Sequence, residues 1–120
     1  MNTRILVLAT TIGTAVQLAM VIAGHYNRNI AALFAVGGMT ISLAAGLLYA
    51  IWARDLSLGN AALGGLLAGG ICALIGIAVS YLLGDVQAVI LALGTLSSAV
   101  TGALGGAIGW LVVTRLLASA

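Results

Sequence analysis

Few side chains in this sequence could do chemistry, and the densest group of them is the stretch GHYNRN at residues 24–29. It holds the only histidine, His25, together with Tyr26 and Arg28. The other reactive or ionisable side chains are one cysteine, two aspartates, two further tyrosines and three further arginines. A histidine beside a carboxylate can bind a cation, or change its charge near the usual histidine pKa of about 6.5. The fold decides which of these groups meet.

The elements that position these groups are long apolar segments. Of the 120 residues, 63% are hydrophobic, 5% are charged and none is proline. Soluble domains have about a quarter charged residues, so this chain could not cover a surface in water. Four apolar runs each reach the roughly 18–20 residues that cross a hydrocarbon core. We predict an all-α integral membrane four-helix bundle that forms a single domain, with helices at about 5–23, 30–53, 61–83 and 86–115.

Depth in this bundle limits which reactive groups can meet. Cys72 lies about 18 Å from the His25 level, at 1.5 Å per residue of helix, so the two cannot form a nucleophilic pair. Asp55 is predicted at the opposite face from His25. Only His25 and Asp85 share a face, with Tyr26 at the same level, and these three are the predicted outer-face ligand contacts. Because one histidine lacks the further ligands of a metal site, we predict no catalytic residue, no metal and no cofactor.

The connections between the apolar runs are short, and their residues are typical of helix ends. Gly84 is predicted to end the third helix and Asp85 to cap the fourth, which makes these two helices an antiparallel hairpin. Asn60 is predicted to cap the third helix. The outer face has an alternative interpretation, in which GHYNRN is a solvent-exposed turn, His25 is solvated and Asp85 is only a helix cap.

The distribution of arginine predicts the orientation. The N-terminus, the 54–60 connection and the C-terminus share one side and hold Arg4, Arg54 and Arg115, whereas the other side holds only Arg28. Because cytoplasmic loops carry the excess of positive charge, we predict a protein of the cell (inner) membrane with both termini cytoplasmic. Aromatic residues fall near the two predicted boundaries, as in an interfacial belt: Tyr49, Trp52 and Trp110 at the inner one, Tyr26 and Tyr81 at the outer one.

Small residues recur at helical spacing in the last two helices. One ribbon holds Gly65, Gly69, Ala73, Gly76 and Ser80, and the other holds Gly94, Ser98, Gly102, Gly105 and Gly109. Helices in lipid associate through close backbone packing and hydrogen bonds, so the ribbons predict a closely packed pair. Gly64, Gly70 and Gly106 lie off the ribbons, and this additional smooth surface favours a homo-oligomer or contact with other membrane proteins.

Polar side chains near mid-depth form a second candidate site, the polar lining of a pore or interior: Thr14, Gln17, Thr40, Ser42, Ser98 and Thr101. The Gln17 amide cannot face lipid unsatisfied, so we predict that it points inward. It either holds the helices together or lines a path for a solute. No charged residue lies at mid-depth in any predicted span, which argues against a proton-coupled carrier.

Three functions of different class fit this pattern. The first is a passive permease or channel for a small solute or ion, working as a homo-oligomer. The second is a non-catalytic accessory, assembly or lipid-binding subunit of a larger membrane complex. The third is an enzyme, which the small set of titratable groups disfavours. The expected partners are the lipid bilayer and membrane proteins, and not nucleic acid, because the net charge of +2 is small and spread along the chain.

Overall fold

The computed structural model describes residues 2–31, 34–54 and 57–119, and all regular elements in these ranges are α-helices. They are α1 (Thr3–Tyr26), α2 (Arg28–Ala31), α3 (Phe34–Ala53), α4 (Leu58–Leu82) and α5 (Ala88–Ser119). Four of them, α1, α3, α4 and α5, are long and apolar enough to cross a membrane. The predicted all-helical fold with four such helices is therefore confirmed, and the single turn of α2 is an addition to it.

The start of α4 differs from the prediction. This helix begins at Leu58, where the Ser57 side-chain oxygen accepts a hydrogen bond of 3.4 Å from the Asn60 N–H. The cap is therefore Ser57 and not Asn60. Asp55, which was predicted to lie at the face opposite His25, falls outside the described residues.

The connection between α4 and α5 ends one helix by backbone geometry alone. Gly84 has a φ of +81°, in the left-handed region. Its N–H donates to the Tyr81 carbonyl oxygen at 3.0 Å, and the Asp85 N–H donates to the Ser80 carbonyl oxygen at 3.0 Å, which is the Schellman pattern. Gly84 thus ends the helix as predicted. Because α5 begins only at Ala88, Asp85 does not cap it, and the Asp85 carboxylate can serve another partner.

Glycine contacts set the distance between α5 and its two neighbours, α4 and α3. A Cβ added at Gly102 would overlap the Gly65 carbonyl oxygen of α4 and would lie 2.9 Å from the Gly69 Cα. A Cβ added at Gly105 would overlap the Leu43 carbonyl oxygen of α3. Real Cβ atoms do not approach other atoms so closely, so glycine is required at both positions for the helices to lie at this distance.

The small-residue ribbon of α5 divides between two neighbours and does not serve α4 alone. Gly94 contacts Ile77 of α4, whereas Gly109 contacts Ala50 of α3. The three glycines off the ribbons also contact residues of this same chain: Gly64 lies against Tyr49, Gly70 against Ala99 and Gly106 against Ala61. These three glycines therefore take part in packing within the chain, and the predicted homo-oligomer stays a prediction.

The half of the bundle that contains Asn2 and Arg54 is here called the terminal half. Tyr49 is fully buried there, at 0% exposure. Its ring lies against Gly64, and its hydroxyl oxygen accepts a hydrogen bond of 3.2 Å from the Asn2 N–H. Tyr49 therefore belongs to the core and not to an interfacial belt. The opposite half is called the His25 half.

We expect Gly102→Ala to lower the free energy of unfolding by about 1–3 kcal/mol, because overpacking a tight interface costs about that much. The matched control is Gly59→Ala in the first turn of α4, where an added Cβ meets only the Ser57 Oγ, at 3.8 Å. Chemical unfolding of both variants in the same detergent measures the difference. Equal stabilities would contradict the assigned role of Gly102.

Candidate functional site

A cavity of about 400 Å³ lies between the four long helices in the His25 half. Apolar side chains form most of its wall, including those of Met20, Phe34, Met39, Ile77, Ile90 and Leu93. Its polar lining residues are Gln17, Ser80, Asp85, Ser97 and Ser98. Largely apolar walls with a few polar groups are typical of small-molecule sites, which often lie between the helices of bundles.

The cavity opens on the side of the bundle and is closed at its deep end. Met39 of α3 and Ile90 and Leu93 of α5 line it, and all three are exposed at the surface. The opening therefore lies between α3 and α5. Toward the terminal half these helices touch, since a Cβ added at Gly46 would overlap the Gly102 carbonyl oxygen. Asp85 also lines the cavity and is exposed, so the cavity is open at this rim as well as between α3 and α5, and it ends near the middle of the bundle.

Gln17 points inward, as predicted, and links three helices. Its side chain is 2% exposed. The Nε2 of Gln17 donates to the Gly38 carbonyl oxygen of α3 at 3.2 Å and lies 3.9 Å from the Cys72 Sγ of α4. Ser42 joins the same cluster, since its hydroxyl donates to the Gly69 carbonyl oxygen at 3.1 Å. The amide nitrogen of Gln17 therefore has partners from α3 and α4 while its residue also lines the cavity.

Two serines complete the polar wall of the cavity. Ser98 of α5 is 3% exposed, and no hydrogen bond between described residues involves its Oγ. The Ser80 Oγ of α4 is buried and also lacks a partner in the described part of the chain. Sequence reasoning counted Ser80 only as a small residue for packing. The sequence feature that could have identified Ser80 as a lining residue is its position one turn beyond Gly76, on the face of α4 that meets Gln17.

Four of the six predicted lining residues do not line the cavity, namely Thr14, Thr40, Ser42 and Thr101. Thr40 is exposed and its hydroxyl donates to the Val36 carbonyl oxygen at 2.8 Å, while the Thr101 hydroxyl donates to the Ser97 carbonyl oxygen at 2.7 Å. These hydroxyls are satisfied within their own helices. Thr14 has a buried Oγ1 without a partner among the described residues. The pore-lining role of the six predicted residues stays a prediction.

The outer-face pair meets at the rim of the cavity. The His25 Nδ1 and the Asp85 Oδ2 lie 2.9 Å apart, which links the end of α1 to the connection between α4 and α5. The Tyr26 ring packs edge-on against the His25 ring, with centroids 5.1 Å apart, and is itself 84% exposed. Their predicted contact with a ligand stays a prediction. Within the described ranges, no group of three or more His, Cys, Asp or Glu residues could hold a metal ion.

We expect a double-mutant cycle of His25→Ala and Asp85→Ala to give a coupling free energy of about 0.5 kcal/mol. The two side chains are 34% and 24% exposed, and partly exposed ion pairs contribute little because water screens them. At a pH low enough to protonate the imidazole the coupling should fall in 1 M salt, because only the protonated His25 forms an ion pair with Asp85. Chemical unfolding of the four proteins in detergent measures it. Additive effects of the two substitutions at low salt would show that the pair does not couple α1 to the α4–α5 connection.

The fold and the cavity together define a small all-helical bundle with four helices that are long and apolar enough to cross a membrane, and a cavity between them. No family model matches this chain, and neither a curated protein nor a solved structure matches it. Functional inference therefore rests on the cavity and the side chains that line it.

Proposed function

We propose that this chain is a non-catalytic integral membrane protein that binds a small lipophilic ligand in the cavity. The observation that carries this proposal is the position of the opening, on the flank between α3 and α5. In a membrane that flank faces acyl tails, so a ligand dissolved in lipid reaches the cavity without crossing water. This is the accessory or lipid-binding role, and as such a subunit the protein contacts other membrane proteins through its apolar outer surface.

The proposed placement in the cell (inner) membrane has both termini in the cytoplasm. Its support is the excess of arginine at the terminal half, with Arg4, Arg54 and Arg115 against Arg28 alone at the other end. In this orientation the cavity occupies the outer half of the bilayer. The non-catalytic assignment rests on the few titratable groups in the sequence.

The size of the cavity limits the ligand. At about 30 Å³ for each non-hydrogen atom, which is the volume of a water molecule in the liquid, a cavity of about 400 Å³ holds roughly 13 such atoms. One alkyl chain of medium length has this size, whereas a phospholipid does not fit. The proposed ligand is therefore a single-chain molecule, or one chain of a larger lipid.

Methionine labelling tests this proposal, because Met20 and Met39 both line the cavity. We expect the ¹³C-methyl resonances of these residues to shift saturably when 1-dodecanol or n-dodecane is added to the protein in lipid nanodiscs. The control is Leu104→Met, which adds a methionine where the side chain is 57% exposed on the outer surface of α5. Its resonance should follow only the partition of the probe into lipid. If Met20, Met39 and the methionine introduced by Leu104→Met all respond to both probes in the same way and without saturation, the cavity is rejected as a ligand site.

The permease or channel predicted first from the sequence needs a continuous path. Among the described residues of one chain, the Tyr49 side chain and the contact of Gly46 with Gly102 block a path through the terminal half. Transport would require this half to open, or a pore between copies in a homo-oligomer. For these reasons we favour ligand binding over transport.

We expect proteoliposomes of this protein to release glycerol and K⁺ no faster than protein-free vesicles of the same lipid. The physical reason is the filled terminal half, which leaves no wetted route. Stopped-flow light scattering measures the glycerol flux and a potassium electrode measures the ion flux. Saturable glycerol flux, or K⁺ release that grows with protein content, would instead favour the permease.

A further inference from the structure

Three polar atoms of the cavity have hydrogen-bonding capacity that the described residues do not use. The Ser80 Oγ is a buried atom without a partner among the described residues. The other two are the Gln17 Oε1 and the Ser98 Oγ, and the hydrogen bond that Gln17 makes to Gly38 uses its Nε2. All three residues line the cavity, and each is more than nine-tenths buried. Buried polar groups without a partner are rare in native proteins, so a molecule in the cavity is the natural source of the missing hydrogen bonds.

These groups are placed at different depths. Gln17 lies at the level of Gly76, where an added Cβ would be 3.5 Å from the Gln17 Oε1. Ser98 lies midway on α5 between Gly94, which contacts Ile77 of α4, and Gly102, which contacts Gly69, and this places it level with about Cys72. The amide of Gln17 reaches the same level, since its Nε2 lies 3.9 Å from the Cys72 Sγ. Ser80 is one helical turn beyond Gly76, nearer to the Asp85 rim. Gln17 and Ser98 therefore mark the deep end of the cavity, near the middle of the bundle.

The chemistry of the deep end selects the polar group of a ligand. An amide oxygen only accepts, so the ligand must donate to the Gln17 Oε1, whereas the Ser98 hydroxyl can donate or accept. A hydroxyl group can both donate and accept, so it has the chemistry that these two residues require. A charged group finds no counter-charge at this depth, because Asp85 is the one ionisable residue among the described residues that line the cavity. That carboxylate lies at the rim beside His25, and burying an unpaired charge is very unfavourable.

We infer that the cavity selects an uncharged, single-chain amphipath of the long-chain alcohol class. Its hydroxyl donates to Gln17 and bonds with Ser98 at the deep end. Its alkyl chain runs along Met20 and Leu93 and leaves between α3 and α5. The inference rests on the proposed function, since it requires the flank to face lipid. The protein thus offers a polar partner at a depth where the bilayer itself has none.

Three probes of equal chain length test the selectivity through the Met20 and Met39 methyl resonances in nanodiscs: 1-dodecanol, n-dodecane and dodecanoate at pH 8. We expect half-saturation by 1-dodecanol at a probe-to-lipid ratio about three- to tenfold lower than by n-dodecane, the ratio that one ordinary hydrogen bond supplies. Dodecanoate should not saturate. Equal half-saturation by the alcohol and the alkane would overturn the inference and would mean that water satisfies Gln17 and Ser98, while the proposed function would stand.

Variants assign the selectivity to particular atoms. Ser98→Ala should reduce the advantage of 1-dodecanol without abolishing it, because the bond to Gln17 remains, while the response to n-dodecane persists and shows that the cavity is intact. The matched control is Thr95→Val on the same helix. It also removes a buried hydroxyl without a partner among the described residues, but one beside a different surface pocket near Ala99, and it should leave the advantage unchanged. An alcohol advantage of the same size in Ser98→Ala as in the unmodified protein, or dodecanoate binding as well as the alcohol, would refute the inference. Failure of all three probes would refute the proposed function as well.

Discussion

The direct contact of the α5 backbone with both α3 and α4 determines the shape of the rest. At Gly102 and Gly105 there is no room even for a methyl group, so the three helices touch. Toward the His25 half, α5 carries Ile90 and Leu93, and the Ile77 side chain reaches across to Gly94. The cavity lies beyond the glycine contacts, toward the His25 half, and its closed end follows from the same glycines that hold the bundle together.

The positions of the polar side chains follow from a second constraint, because an apolar environment supplies no hydrogen bonds. Thr40 and Thr101 meet this requirement locally, since each hydroxyl donates to a carbonyl oxygen of its own helix. They can therefore face outward at little cost. Gln17 has no such local solution, because its amide is long and has two donors and an acceptor. It must be buried among other helices, and this is where the structure places it.

The sequence predicted the helices themselves better than it predicted which helices pack against each other. Apolar runs are enough to identify four long helices. A shared face placed His25 and Asp85 at one level but left open whether they meet, and the structure brings them to 2.9 Å. A helix that is apolar all round has no periodic face to reveal its partner. The sequence therefore could not predict the burial of Tyr49 or the division of the α5 glycines between α3 and α4. The cavity was out of reach too, since it depends on how the distance between helices changes along the bundle.

The two interpretations of Gln17 from the sequence, as a link between helices and as a residue that lines a path, are not exclusive. An amide has two polar ends, and the structure uses them differently. The Nε2 donates to the Gly38 carbonyl oxygen and so fixes α1 against α3. Because that bond holds the side chain in one orientation, the Oε1 is held ready on the cavity side without further cost in conformational entropy. The packing role of the nitrogen is thus what makes a binding role of the oxygen physically reasonable. A residue that only linked helices would have no need of a cavity beside it.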